Sequence, residues 1–250
     1  MTKISAVIIT LNEERNIKRC VLAAQKVSDE VIILDSFSTD KTVEIAKELN
    51  CTVIQQKRAG FSAQKNKVNS MTTYEYILSL DADEEIGNEL ISSILKEEKT
   101  ELSGAFSFNR LTNYSGSWVR YGGWYPDVKT RLIPKQDSNW KGEFIHELLE
   151  SPNNCQTKRV NGDLNHYSYY SYAEHKNRTA KYSELHAKKM NFENKKRGPM
   201  KPYLSSFAKF INMYFISFGI FDGKTSFIIA WISAGATHNK YKFLSRLNKV

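Results

Sequence analysis

Short apolar runs recur through the first part of the chain at strand length, each followed by apolar residues at helical spacing. Residues 3–11 alternate little and are rich in Ile and Val, which predicts a strand buried on both faces. Ile17, Cys20, Val21 and Ala24 then mark one face of a helix within Glu13–Lys26. Val31–Leu34 is a second buried strand ending at Asp35, and a helix opens at Ser38-Thr39-Asp40, with Asp40 a fitting N-cap, and runs through Leu49. Cys51–Gln55 and Tyr76–Leu80 read as further strands, the latter ending at Asp81. Ser62–Met71 and Asn88–Glu97 read as further helices. Strand-helix alternation with short loops predicts a parallel sheet with right-handed crossovers, whose ligands sit beyond the carboxyl ends of the strands. Three such ends are polar: Thr10-Leu11-Asn12-Glu13, Asp35-Ser36 and Asp81-Ala82-Asp83-Glu84.

The pattern changes after Ser103. Strand-like runs at Ala105–Leu111, Val128–Pro134 and Val160–His166 alternate with glycine and aromatic turns, and beyond Ser168 the chain reads as helical with a break at Gly198-Pro199. Tyr203–Ala236 is apolar and aromatic. Its longest uncharged stretches, Phe210–Phe221 and Thr225–Asn239, fall short of the ~20 residues of a spanning helix, so a packed or interfacial helix pair is expected.

Charge sharpens this division. The net charge is +9, yet Glu174–Val250 holds 15 Lys+Arg against 4 Asp+Glu, while the remainder is slightly acidic. A basic aromatic appendage of that kind suits anionic lipid, acidic glycan or nucleic acid. Hydrophobic residues make up 41% of the chain, enough for a substantial core and too many for disorder. The three cysteines, Cys20, Cys51 and Cys155, form no CxxC pair, which fits a reducing cytoplasm, and the N-terminus shows no signal-peptide pattern.

Several residues could carry chemistry. Asp81-x-Asp83 places two carboxylates at a strand end, where a hard divalent cation, Mg2+ or Mn2+, would offset their repulsion and could also meet a diphosphate. His166, ending a strand, is a candidate third ligand. Asp35 either caps the next helix or accepts hydrogen bonds from a base or ribose hydroxyls. Gly60 feeds a helix in which Gln64 and Lys65 could reach a phosphate, or simply close an ordinary loop. Gly122-Gly123-Trp124-Tyr125-Pro126-Asp127 mixes flexible backbone, stacking aromatics and an acid, which suits a sugar face or a turn around a buried tryptophan. His146-Glu147 offers a general base and a neighbouring imidazole, but the HELLE context is not the HExxH of a zinc protease. No GxGxxG, GxxxxGK[ST] or nucleic-acid motif occurs, so dinucleotide binding, P-loop hydrolysis and a nucleic-acid partner are not expected.

With these residues assembled, the chain resembles family 2 glycosyltransferases of the GT-A fold over roughly residues 3–170. The resemblance rests on Val7–Glu13, the D-x-x-S-x-D-x-T segment Asp35–Thr42, and the D-x-D at Asp81–Asp83. A narrower resemblance, to the lipopolysaccharide-core β-1,4-glucosyltransferase group, adds Gly60-Phe61, Gln64-Lys65-Asn66, Gly123–Asp127, Arg131-Leu132, His146-Glu147, Gly162-Asp163 and Phe221-Asp222-Gly223. Phe37 stands where that group usually has glycine, and Lys65-Asn66 where it usually has an arginine-containing pair.

The resemblance implies an α/β/α sandwich at 1–170, with nucleotide-sugar binding at about 1–100 and the acceptor side at about 101–170. A basic helical appendage at 171–250 would associate with the membrane. It implies inverting transfer of glucose from UDP-glucose to a lipid-linked glycan at the inner face of the cytoplasmic membrane. Thr10, Leu11, Asn12, Glu13, Asp35, Gln64, Lys65, Asp81 and Ala82 would bind the donor; Asp83, Asp81 and His166 the metal; and Trp124, Tyr125, Asp127 and His146 the acceptor. Glu147 would be the base, with Asp127 its rival. Other nucleotide-sugars, a nucleotidyltransferase and a non-catalytic glycan- or lipid-binding module are the competing expectations.

Overall fold

The computed structural model describes residues 2–57, 60–136, 138–141, 148–150, 156–194 and 198–248. His146 and Glu147 lie outside these. The chain forms two compact units, Met1–Arg110 with Asp127–His166, and Leu111–Pro126 with Tyr167–Val250.

In the first unit, β1 (Ile4–Thr10) is buried at every residue. It lies between β2 (Glu30–Asp35) and β4 (Tyr76–Asp81), both parallel to it, and β3 (Thr52–Gln55) extends the sheet beyond β2. Alternate side chains face opposite layers. Ile4, Ala6 and Ile8 join Ile17 and Val21 of α1 (Ile17–Ala24), Ala46 of α2 (Thr42–Glu48) and Leu90 and Ile94 of α4 (Asn88–Lys99). Val7 and Ile9 join Val68 of α3 (Phe61–Ser70) and Trp140. The result is the expected α/β/α sandwich. Asp40 accepts the N–H of Thr42, the first residue of α2, at 3.0 Å, so it serves the helix start from two residues upstream.

The strand-like runs after Ser103 join this same sheet, which the expectation of a parallel sheet did not include. The order is β3-β2-β1-β4-β8-β6-β11-β5, with β6 at Ala105–Tyr114, β8 at Asp127–Pro134, β11 at Thr157–Tyr169 and β5 at Glu84–Ile86. β8 pairs antiparallel with β4 and with β6, and β5 pairs antiparallel with β11. A separate two-stranded sheet pairs β9 (Asn139–Lys141) with β10 (Leu148–Glu150). Gly162, in β11 at φ +95°, lies against the start of α4, where a Cβ would strike the backbone of Glu89 and Leu90. Gly162→Ala is therefore expected to cost about 2–3 kcal/mol, read as a lowered urea midpoint.

The second unit contains β7 (Ser117–Val119), which pairs with the end of β6 as a hairpin, and three helices: α5 (Tyr172–Phe192), α6 (Lys201–Ile211) and α7 (Gly223–Leu247). Residues 111–126, expected within the catalytic domain, belong here because Tyr114 and Val119 share a core with Met213, Ile229 and Ala230. A π-helical turn at Asn212–Ile216 and a 3-10 turn at Gly219–Asp222 connect α6 to α7. Among the described residues no single helix is long and apolar enough to cross a membrane. The segments Lys201–Ile216 and Gly219–Leu247 reach that length and composition only together, and they are bent by 73°.

His175 is buried in this unit, its Nδ1 2.8 Å from the hydroxyl of Tyr114. Burial, then the nearby Arg178 charge, pushes its pKa down to about 4. The unfolded ring takes up a proton near pH 6.5 and the folded ring only near 4. Stability is thus full above pH 6.5 and lost as pH falls toward 4, by about 3 kcal/mol in all. Urea midpoints should fall across that window, and the fall should flatten in His175→Phe.

Candidate active site

Strand register sets the site. Thr10 pairs with Asp35, Ile9 with Asp81, and Asp35 with Gln55, so the carboxyl ends of four parallel strands present polar residues in one row. Asp35 is fully buried. Its carboxylate accepts from the Ser38 N–H at 3.0 Å, the Ser38 hydroxyl at 2.5 Å and Gln55 Nε2 at 2.9 Å. These bonds fold residues 35–39 into a tight loop in which Phe37 takes φ +64°. A residue usually glycine in the resembling group here carries a ring, half of it exposed.

The β1 loop is joined to this one. Asn12 donates its N–H to Ser38 Oγ at 2.8 Å and accepts the Thr39 N–H at 2.8 Å, while Glu13 donates its N–H to Thr42 Oγ1 at 2.8 Å. Gln64 Nε2 donates to Ser36 Oγ at 2.6 Å. The buried Thr10 hydroxyl has no hydrogen-bond partner among the described residues. Leu11 stands exposed at the loop's rim.

The acidic turn after β4 divides its carboxylates. Asp81 meets Lys65 Nζ at 3.3 Å and Arg131 Nη2 at 2.7 Å. Burial opposes ionisation of Asp81, but the charges of Arg131, Lys65 and Arg110 outweigh it and hold the carboxyl well below the usual range. Ala82 is buried and turns the chain. Asp83 points elsewhere, its Oδ2 lying 3.3 Å from His166 Nε2, because antiparallel pairing of β11 with β5 sets His166 opposite Glu84. Asp81, expected as a metal ligand, is thus committed to two cations, and Lys65, expected at a phosphate, is buried between Asp81 and the Trp140 ring, 4.5 Å from its centroid.

Glu84 was not singled out from the sequence. It is fully buried, accepts the Asp81 N–H at 3.1 Å, and pairs with Arg131 at 2.5 Å and Arg110 at 3.4 Å. Arg110 also binds Asp127 at 2.6 Å, opposite which it sits in the β6–β8 register, and Lys129 reaches Asp127 at 3.0 Å. Burial opposes ionisation of Asp127 too, but Arg110 and Lys129 prevail and lower its pKa. The signal for Arg131 was a cation at the head of an apolar strand run, and for Glu84 a third acid beside a D-x-D.

Within the other unit, Trp124 packs edge-on against Tyr114 at 5.8 Å and His175 at 5.9 Å, while Tyr125 lies under Arg120 and precedes a cis proline. Trp124 is therefore a packing residue of that unit's core, the turn-around-a-tryptophan alternative. Cys20 is buried, and burial together with nearby carboxylates pushes its thiol up, so it is inert.

Asp83 and His166 offer a hard carboxylate oxygen and an imidazole nitrogen, a pair whose chemistry fits a divalent cation. Among the described residues no group of three such donors comes together.

The pattern of "Glycosyl transferase family 2" matches residues 5–160. An uncharacterized glycosyltransferase of Rickettsia prowazekii is 32% identical over 246 residues, 92% of this chain and 83% of that protein. One from Rickettsia typhi is 40% identical over 119 residues, 46% of this chain and 41% of that protein. Among solved structures, glucosyl-3-phosphoglycerate synthase from Mycobacterium tuberculosis in complex with Mg2+ and uridine-diphosphate is 23% identical. It covers 46% of this chain and 44% of its own, with a TM-score of 0.37, too shallow a likeness to carry any inference about ligands. The chain belongs to glycosyltransferase family 2 and is a glycosyltransferase with the α/β architecture of the GT-A fold.

Removing one partner from a buried ion cluster leaves an uncompensated charge. Arg131→Met should cost about 3–5 kcal/mol by urea denaturation. Adding Glu84→Gln should restore part of that loss, and additive losses would mean that the two side chains act independently.

Proposed function

We propose that the protein is an inverting, metal-dependent transferase that moves glucose from UDP-glucose onto a lipopolysaccharide or lipooligosaccharide core, or a related cell-envelope glycan. The observation that carries the reading is the separation of the acidic turn: two cations neutralise Asp81, which leaves Asp83 beside His166 for the leaving group. The choice of glucose and of a lipid-linked acceptor is supported by the resemblance of the motifs from Gly60-Phe61 to Phe221-Asp222-Gly223.

In this proposal the Thr10–Glu13 and Asp35–Thr39 loops, bonded to each other, hold the nucleoside. Asp83 and His166 would hold Mg2+ or Mn2+, which supplies positive charge to the diphosphate as the sugar departs. Lys65 and Arg131 fix Asp81 and keep the turn from repelling the donor's own negative charge. An acceptor hydroxyl attacks the anomeric carbon from the face opposite the diphosphate. The new carbon–oxygen bond forms as the bond to the diphosphate breaks, and the hydroxyl proton passes to a carboxylate.

Glu147 takes that proton. Asp127 is the weaker base because Arg110 and Lys129 lower its pKa, and a carboxylate tied to two cations is better suited to fixing an acceptor hydroxyl than to removing its proton. The basic second unit places the enzyme on the anionic inner face of the cytoplasmic membrane, where a lipid-linked acceptor is displayed.

Nucleotide release by the purified chain across UDP-, GDP- and dTDP-sugars tests the donor. Release from UDP-glucose with Mn2+ and none with EDTA is expected. Glu147→Gln should lower transfer about 10²–10⁴-fold and Asp127→Asn by about tenfold or less. Undiminished turnover in EDTA would remove the metal from the scheme, and the reverse ranking of the two variants would exchange the roles of the carboxylates.

A further inference from the structure

The second unit carries an unusual concentration of exposed aromatic and aliphatic side chains around its bend. Phe207, Ile216, Phe218, Phe221 and Trp231 are each more than half exposed. They flank the bend on both sides: the Phe210 ring contacts Phe215, Phe227 and Trp231, and Phe218 stacks on Phe221 at 6.1 Å. A soluble surface rarely leaves such a patch uncovered.

Charge indicates what covers it. Lys201 and Lys209 lie in α6 and Lys224 in the first turn of α7, and Lys240, Lys242 and Arg246 follow along α7. The sole acid from residue 194 onward is Asp222, whose carboxylate is already occupied. Two copies meeting here would bring two basic segments together, whereas anionic headgroups complement them. The 73° bend and the cations in the second half of α7 suit a segment lying in the interface rather than crossing it.

The same bend grips a loop. Asp222 Oδ2 accepts the N–H groups of Arg120 at 3.0 Å and Tyr121 at 2.8 Å, and the Ser226 hydroxyl at 3.2 Å. Gly122 donates its N–H to the Ser217 carbonyl at 2.8 Å, and the Tyr121 and Phe221 rings lie 5.4 Å apart. This loop runs on through Tyr125-Pro126 into Asp127.

We infer that the bend is a wedge that inserts into the surface of an anionic phospholipid bilayer, and that Asp222 latches the Arg120–Tyr125 loop to it. Bilayer contact then orders the loop that leads into β8. The inference rests on the proposed placement of the basic second unit at an anionic membrane; the wedge and the latch are argued from this unit's own contacts.

Vesicles of phosphatidylglycerol and phosphatidylethanolamine, against pure phosphatidylcholine, test both parts on the full chain. Partition should favour the anionic vesicles. Ile216→Ser with Phe218→Asn should weaken it about tenfold or more, and asparagine accepts the φ of +58° at position 218, so the fold is kept. Hydrogen exchange should slow on the same vesicles in residues 212–224 and 115–126 together. In Asp222→Ala only the first segment should slow. Equal partition of wild type and double variant, equal partition on the two lipids, or a stable dimer that buries the patch would overturn the wedge. Slowing confined to 212–224 in the wild type would overturn the latch. UDP binding, measured by calorimetry in parallel, separates the readings: its absence beside intact vesicle coupling would count against the proposed donor and not against the wedge.

Discussion

A carboxylate with no solvent access must find its counter-charge inside the protein, and Glu84 finds it in Arg131 and Arg110. Desolvating such groups costs several kcal/mol per ion before their attraction returns any of it. The cluster persists because its carboxylates and cations interlock, although the buried Arg131 Nε finds no partner among the described residues. Arg131 spans Glu84 and Asp81, Glu84 also accepts the Asp81 N–H, and Arg110 continues to Asp127. Four sheet strands, β4, β5, β6 and β8, are thereby tied together, and the acidic turn between β4 and β5 is held there.

That arrangement separates two carboxylates that sequence spacing treats as equivalent. In D-x-D both acids look like ligands. In the folded chain, Asp81 is a structural anion balanced by Lys65 and Arg131, and Asp83 is turned toward His166 by the pairing of β5 with β11. The acidic turn therefore pairs a neutralised carboxylate, Asp81, with a second carboxylate that meets an imidazole instead of a fixed cation.

Much of the first unit was legible because a strand buried on both faces leaves a continuous apolar run, and β1, β2 and β4 all do. The row Thr10, Asp35 and Asp81 followed from the rule that strand ends converge in a parallel sheet. What was not legible depended on long-range pairing. Glu84 to Ile86 is too short to show periodicity, and its partner strand lies more than 70 residues away. Asp127 looked like a free acid because nothing local shows that Arg110 is opposite it across β6–β8. Trp124 read equally as sugar platform or core, and its packing against Tyr114 and His175, distant in sequence, shows only in the fold. That residues 111–126 belong to the second unit and not to the catalytic domain was hidden for the same reason, since their core partners lie about a hundred residues further along.

In the proposed mechanism Asp83, with Asp81 already paired, would complete a cation site only together with a diphosphate. Mn2+ binding followed by electron paramagnetic resonance, with and without UDP, is the measurement that decides this. Weak binding without nucleotide, tight binding with UDP, and loss of the UDP-dependent component in Asp83→Asn are expected. Tight binding that ignores UDP, or that survives Asp83→Asn unchanged, would contradict it.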